Sequence, residues 1–375
     1  MPRHERRTES PRKLALRLSA GTKAKEDTRM WGGRIAIELN PRAWDRHVSQ
    51  VHCGLVELAA LGRISLHYSR GMPIGPRSTM WVDINGVRCF FDMRDGTVLT
   101  ASEEAVHYFK RTFRWGTYPE NVYPYGLYYP CRPTAYLDRT IWRHPRRTLH
   151  YRSRAAFEID PMVPAESKVL FLTRLWDPTP AHGRDETTMD QLNTMRAETV
   201  RVLKKKLGKR FIGGLADTPV ARARYPDLIT DTAKHTYMRA LRRCVVGVTT
   251  TGLHQSTGAK LPEYLAASRC VITEPILNAL PEPLIEGRNI LTFQTPEGCA
   301  EACSRLLEDH GRIEEMRQAN YEYYMRSVRP VALISRCLRI ALNALEHEPA
   351  PIDGLDSLGG DVSPRATVDT PSSVR

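Results

Sequence analysis

The sequence predicts an α/β protein of two units, with a parallel sheet in the second. Two observations lead there. From residue 164 to 345, short apolar runs rich in β-branched residues alternate with segments of helical periodicity, the pattern of strands joined by crossover helices. Within it, residues 252–293 read GLHQSTGAKLPEYLAASRCVITEPILNALPEPLIEGRNILTF: a loop, a short helix, a buried strand, a Pro-rich loop and a second strand. A chain of 375 residues, 41% of them apolar, is long enough for two such domains.

In chain order, residues 34–39 (RIAIEL) read as a strand. Residues 41–61 read as a helix, because Val48, Val51, Leu55, Leu58 and Leu61 recur at helical spacing. Residues 64–68, 80–84 and 87–91 read as strands, the last two joined by the hairpin-type pair Asn85-Gly86. A polar loop follows at 92–96, then a short helix at 102–107, an edge strand at 108–111 and a Tyr- and Pro-rich loop at 115–134. Residues 143–164, basic and then Pro-punctuated, link the halves.

In the second half, 168–173, 210–213, 245–249 and 270–273 read as strands. Residues 186–207, 232–243, 296–308 and 313–325 read as helices, and 330–345 as a last helix with one apolar face. The units implied are a tail at 1–30, domains at 31–163 and 164–328, a crossing helix at 329–347 and a tail at 348–375.

No run of 18 apolar residues occurs, so no membrane-spanning helix is expected. The N-terminus lacks the apolar stretch of a signal peptide. The eight Cys include no C-x-x-C pair, and Cys299 and Cys303, four apart, read as buried apolar residues of a reduced, cytoplasmic protein. A net charge of +13 makes anionic small molecules, nucleic acid and an anionic membrane face candidate partners. The first 30 or so residues, rich in Arg and Lys, read as a disordered tail: either solvated, or a tether at the inner membrane face or on RNA. No RNA-binding motif is present, so no specific nucleic acid is expected.

Ligands of a parallel α/β sheet bind outside the carboxyl ends of its strands. That rule gathers residues 173–175, 250–252 and 256–263 at one edge. The loop's Gly252 and Gly258 let an anion approach backbone N–H groups, Ser256 and Thr257 either bind phosphate or cap the helix, and Lys260 adds a full charge. Glu263 either accepts from hydroxyls or answers the helix dipole. His254 lies in the loop as a ligand or a structural residue. Arg174 follows the first strand at this edge, where by itself it reads as an arginine ion-paired at a domain boundary. Glu274, after the strand at 270–273, sits at the same edge. In the first half, Asp92 and Asp95 (FFDMRDG) follow a strand, as a general base facing the cleft or as a polar turn.

The run K-L-P-E-Y-L-A-A-S-R-C-V-I-T-E-P, then P-L-I-E-G-R-N-I-L-T-F, resembles the donor site of glycosyltransferases of the GT-B fold: two Rossmann-like domains with a deep interdomain cleft. That family writes its helix E-A-M-A-x-G-x-P-V-I, with the Glu on the donor ribose, and Glu263 falls on that position. The segments H-Y-F-K-R and Y-P-Y-G-L-Y-Y-P look like those of bacterial members of the spore-maturation type. The resemblance spans about residues 31–330 and implies sugar transfer from a nucleotide-sugar donor to an acceptor hydroxyl of a saccharide, lipid-linked or protein acceptor. It implies a basic residue at Arg174 on the donor diphosphate and no cofactor beyond the co-substrate.

The chain departs from that pattern in places. Gln255 stands eight positions before Glu263, where retaining members carry a first Glu, and Ser268 replaces the helix-end Gly. No D-x-D occurs, which suggests metal-independent transfer. The rival readings are a non-catalytic nucleotide-binding relative and a basic protein associated with RNA or membrane.

Overall fold

A computed structural model of the chain describes residues 35–100, 103–134, 151–177 and 186–342. The expectations for the two tails lie outside those residues.

The first unit holds β1 (Ile35–Leu39), α1 (Ser49–Ala60), β2 (Ile64–Tyr68), β3 (Thr79–Ile84), β4 (Val87–Asp92), β5 (His107–Lys110) and β6 (Val122–Pro124). Its sheet order is β2-β1-β3-β4-β5-β6. β3 runs antiparallel to both neighbours while the other pairs are parallel, so every strand except β3 points the same way. Asn85 and Gly86 both adopt positive φ (51° and 85°), the conformation a tight β3–β4 hairpin turn requires.

The second unit is β7 (Glu166–Thr173), α2 (Glu186–Leu207), β8 (Phe211–Leu215), α3 (Pro219–Arg224), α4 (Lys234–Arg243), β9 (Cys244–Thr249), α5 (Lys260–Ala266), β10 (Cys270–Thr273), β11 (Ile290–Thr292), α6 (Pro296–Glu308) and α7 (His310–Tyr323). Its strands order as β11-β10-β9-β7-β8, all parallel. Alternation along β7 serves both faces. Val169 and Phe171 join the core under α2 and α6, whereas Leu170 and Leu172 join the one under α4 and α5.

The chain then returns to the first unit. α8 (Pro330–Ala341) lays Leu333, Ile334, Cys337 and Leu338 into the core that α1 and β1–β4 form. Gly54 on α1 permits this approach, since a Cβ there would lie 2.5 Å from the Pro330 carbonyl oxygen. The two crossings between units are clipped together. Glu158 on the outward crossing accepts from Tyr324 Oη (2.8 Å) and Arg329 Nε (3.0 Å) on the return. Arg154 connects Glu158 to Glu57 of α1.

Several elements differ from the sequence reading. The helix expected at 41–61 begins only at Ser49, because the Asp45 carboxylate takes the N–H groups of His47 and Val48 and turns the chain first. No helix forms over residues 103–106. They make a turn with Val106 exposed, and the aromatic run from His107 enters the sheet instead. The short helix α3, unanticipated, is capped by Thr218, whose Oγ1 accepts from Ala221 N, with Pro219 in its first turn. α7 starts earlier than expected, where the Asp309 side chain caps it, and ends in a π-helical turn, Tyr324–Val328.

A Cβ on Gly247 in β9 would come within 2.5 Å of the Tyr264 ring of α5. Gly247→Ala should therefore cost about 1–3 kcal/mol, as overpacking does. Urea unfolding measures it, and an unchanged midpoint contradicts this packing.

Candidate functional site

The strand order of the second sheet reverses between β7 and β9, so their carboxyl ends diverge into a crevice. One side chain holds the two loops that leave it. Arg196 on α2, 6% exposed, donates to the Arg174 carbonyl (Nη1, 2.7 Å), Thr250 Oγ1 (Nε, 3.0 Å) and the Thr251 carbonyl (Nη2, 2.8 Å). Burial pushes its pKa down to about 10 while Glu274 opposes the shift, so it stays charged at neutral pH. Glu274, just past β10, accepts from the N–H (2.7 Å) and hydroxyl (3.0 Å) of Thr251. A small crevice beside these loops, past the carboxyl ends of β9 and β10, is lined by residues 249–251, 255–258 and 273–277.

The loop between β9 and α5 is held from several directions. Gly252 N donates to Ser256 O (2.7 Å), and a Cβ on Gly252 would lie 2.7 Å from Ser256 Oγ. His254 and Gln255 both take left-handed backbone (φ 54° and 58°), uncommon for residues with a side chain and concentrated at functional sites. Asn278 Nδ2 donates to the Gln255 carbonyl (3.3 Å) and Thr257 Oγ1 (3.4 Å). The first unit reaches across as well. Arg111 Nη2 donates to the Thr257 carbonyl (2.9 Å), and Arg114 Nη2 to Gln255 Oε1 (2.7 Å).

Ser256, Thr257 and Gly258 thus line the crevice with Gly252 beside them, while His254 is exposed and outside the lining. Neither Ser256 nor Thr257 caps α5, whose N-cap is Ala259 with no side-chain bond. Arg174 is exposed and stacks its guanidinium 4.9 Å from the Trp176 ring.

Lys260 and Glu263 turn toward α4. Glu263, 3% exposed, lies 3.3 Å from Lys234 Nζ and 3.6 Å from Lys260 Nζ. Burial would raise its pKa, but the two ammonium groups outweigh burial and hold it below the usual carboxylate range. Although 35% of the Lys260 side chain is accessible, its ammonium lies 3.0 Å from the centre of the Tyr237 ring. Loss of water there, with Lys234 nearby, pushes its pKa down to about 8 despite Glu263.

Asp92 and Asp95, read from the sequence as a general base or a polar turn, stand in different surroundings. Asp92 is fully buried and saturated: it accepts from Arg94 N (3.0 Å), Nε (2.9 Å) and Nη2 (2.6 Å), from Tyr108 Oη (2.6 Å) and from Lys110 Nζ (3.0 Å). Burial would raise its pKa, but these donors hold it low. Asp95, a third exposed, is ion-paired to Arg111 Nη1 (2.9 Å). It orients the arginine that holds the loop between β9 and α5.

Arg196, Arg111 and Arg114 were not singled out by the sequence. Arg196 does share the buried face of α2 with Asn193, Ala197 and Val200, an unusual place for a cation and the one signal that could have found it. Among the described residues, no three His, Cys, Asp or Glu side chains are grouped to hold a metal ion, and no helix is long and apolar enough to cross a membrane.

Residues 196–332 match the family described as glycosyl transferase-like. That segment, less than half of the chain, is what is similar to the family. The match begins at Arg196 and takes in the whole crevice loop. The glycosyl-transfer class expected from the sequence agrees with it, and the two expected α/β units agree with the two sheets, whereas nothing favours the spore-maturation grouping. No curated protein is similar in sequence. Solved structures resemble the chain at low identity. The C-terminal domain of a glycosyl transferase group 1 family protein from Francisella tularensis is 12% identical, with 45% of this chain and 94% of that one covered, at a TM-score of 0.33. AviGT4, a glycosyltransferase of avilamycin A biosynthesis, gives 14% identity, 81% and 91% coverage and a TM-score of 0.43. Anabaena HepE, solved with UDP and glucose, gives 10% identity and a TM-score of 0.42, and the chain spans 65% of its length.

The Lys260 pKa predicts a pH signature. Its folded pKa (about 8) lies below the unfolded value of 10.5, so between them the unfolded chain holds more protons and stability rises with pH. Relative to Lys260→Met, wild type should gain stability from pH 8 to 10 in denaturant titrations. A pH-independent difference would contradict the desolvated ammonium.

Proposed function

We propose that the protein transfers a glycosyl group from a nucleoside-diphosphate sugar to an acceptor hydroxyl. The observation that carries this reading is the crevice at the carboxyl edge of the parallel sheet, inside the segment similar to glycosyl transferases, with Arg196 tying the neighbouring loops together. Arg174 on one loop and Lys260 past the other can meet a diphosphate. Arg196 keeps a third charge beneath the loops. Sugar transfer builds negative charge on the departing diphosphate, and preorganised cations lower the barrier by stabilising it. With that much fixed positive charge, transfer is proposed to need no metal ion.

The acceptor enters over the first unit. Trp115, 71% exposed and next to Arg114, offers a flat apolar face of the kind on which sugar rings stack, which favours a saccharide acceptor. Glu263 Oε2 has no hydrogen-bond partner, so it could accept from a ribose hydroxyl beside Lys234 and Lys260. That placement makes donor binding sensitive to both lysines.

Thermal shift against UDP, GDP, ADP, dTDP and CMP without metal tests this. One nucleotide at about 100 times its Kd should stabilise the protein by about 2.7 kcal/mol. Its sugar derivative should then be turned over with release of the nucleotide. Binding without turnover would instead indicate a non-catalytic relative, and no shift with any of the five would refute the donor site.

A further inference from the structure

The turn between α5 and β10 buries a second arginine. Ala267 closes α5 and Ser268 takes left-handed backbone (φ 54°), after which Arg269 leads straight into β10. Arg269 N donates back to the Tyr264 carbonyl (3.0 Å), as happens where a helix ends in a left-handed cap. All strands of this sheet are parallel, so the turn lies at its amino edge, opposite the crevice.

Two neighbours close over the turn. On the outward crossing, Ile159 N donates to the Ala266 carbonyl (3.0 Å). From α7, Arg317 donates to the carbonyls of Ser268 (Nε, 3.1 Å) and Val163 (Nη2, 2.7 Å), and Asn320 Nδ2 donates to the Arg269 carbonyl (2.8 Å). Arg269 is left 1% exposed.

Its guanidinium nevertheless binds nothing among the described residues. Nε, Nη1 and Nη2 are all buried, and none has a hydrogen-bond partner. Arg196 is the contrast, equally sequestered but satisfied by three oxygens. The carbonyls at the end of α5 are already taken by backbone N–H groups: Glu263 O by Ala267, Tyr264 O by Arg269, Leu265 O by Ser268 and Ala266 O by Ile159.

The charge is also unanswered. Burial, and then the neighbouring Arg317, push the Arg269 pKa down to about 10, so it remains a cation at pH 7. Only the Cys244 and Cys270 thiols oppose that shift. Burial pushes both thiols up to about 12, so they are neutral at pH 7 and bring no negative charge. The carboxylates of Asp160 and Glu314 offset Arg317 instead. A buried cation whose donors go unmet is strongly destabilising, and groups of this kind are completed by a bound ion or water. Water would supply an acceptor but no charge, whereas an anion supplies both. The enclosure selects a small one. Phosphate and sulfate carry more charge and cost more to strip of water, and a carboxylate on a partner protein cannot reach a side chain this deeply covered.

We propose that the guanidinium of Arg269 holds a small monovalent anion of the chloride kind at the amino edge of the second sheet, beside Arg317. The anion accepts from the planar fork of N–H donors and balances the two neighbouring positive charges. It steadies the turn where α5, α7 and the outward crossing meet. The site is separate from the crevice and does not depend on the glycosyl-transfer reading.

The test melts the full chain at constant ionic strength while sodium chloride replaces sodium gluconate, whose anion is too large to enter. The wild-type melting temperature should rise by about 2–4 °C and level off as the site fills. Arg269→Met, which keeps the length of the side chain and removes the charge, should melt at the same temperature in both salts. Should that variant fail to fold, wild-type crystals grown in bromide decide the matter, with an anomalous peak expected within hydrogen-bond reach of the Arg269 guanidinium. A wild-type protein that melts identically in chloride and gluconate overturns the proposal. So does an Arg269→Met protein with the wild-type chloride response, or bromide ordered elsewhere in the crystal and absent from Arg269. Each of these leaves the donor site untouched.

Discussion

The buried guanidinium of Arg196 is the constraint on which the rest of the site depends. A lone charge in a protein interior costs several kcal/mol unless its donors are satisfied. Arg196 meets that cost with three oxygens from two loops, and Glu274 offsets part of the field. The loops after β7 and β9 cannot separate without leaving that charge unpaired. These loop ends are therefore fixed relative to each other before any ligand arrives, and Gln255 is held separately by Asn278 and Arg114.

The second requirement is that the two carboxyl edges meet. Arg111 and Arg114 bind the Gln255–Thr257 backbone and side chains from the other unit, and α8 returns the chain to the core it left. Tyr129, Tyr324, Glu158, Arg329 and Arg154 bind the two crossings into one buried network. Movement of one unit against the other has to break or rotate these contacts. They mark where opening and closing of the cleft would be resisted.

Much of this was legible in the residues, for local reasons. β7, β9 and β10 are short apolar runs with branched side chains, and Pro296 and Pro330 stand at the starts of α6 and α8 where a missing N–H is harmless. The Asn85-Gly86 turn was readable because few residues tolerate positive φ. Topology alone placed residues 173–175, 250–252 and 256–263 at one edge, and of these Lys260 and Glu263 turn instead toward α4. What could not be read were partners distant in sequence. Asp92 looks free in F-F-D-M-R-D-G, and only the fold brings Tyr108 and Lys110 onto it. Lys260 looks aimed at the loop, yet Tyr237 and Glu263 draw its ammonium to α4. Arg196 sits in a helix that reads as ordinary, and its three acceptors are 22, 54 and 55 residues away in the chain.

Hydrogen–deuterium exchange with and without the stabilising nucleoside diphosphate tests the central claim most directly. Binding at the sheet's reversal should slow exchange in residues 249–260 and 273–278 and at 174–177, and leave β2, β8 and α7 unchanged. Protection confined to other segments, with none in the 249–260 loop, would place the ligand elsewhere and contradict the account.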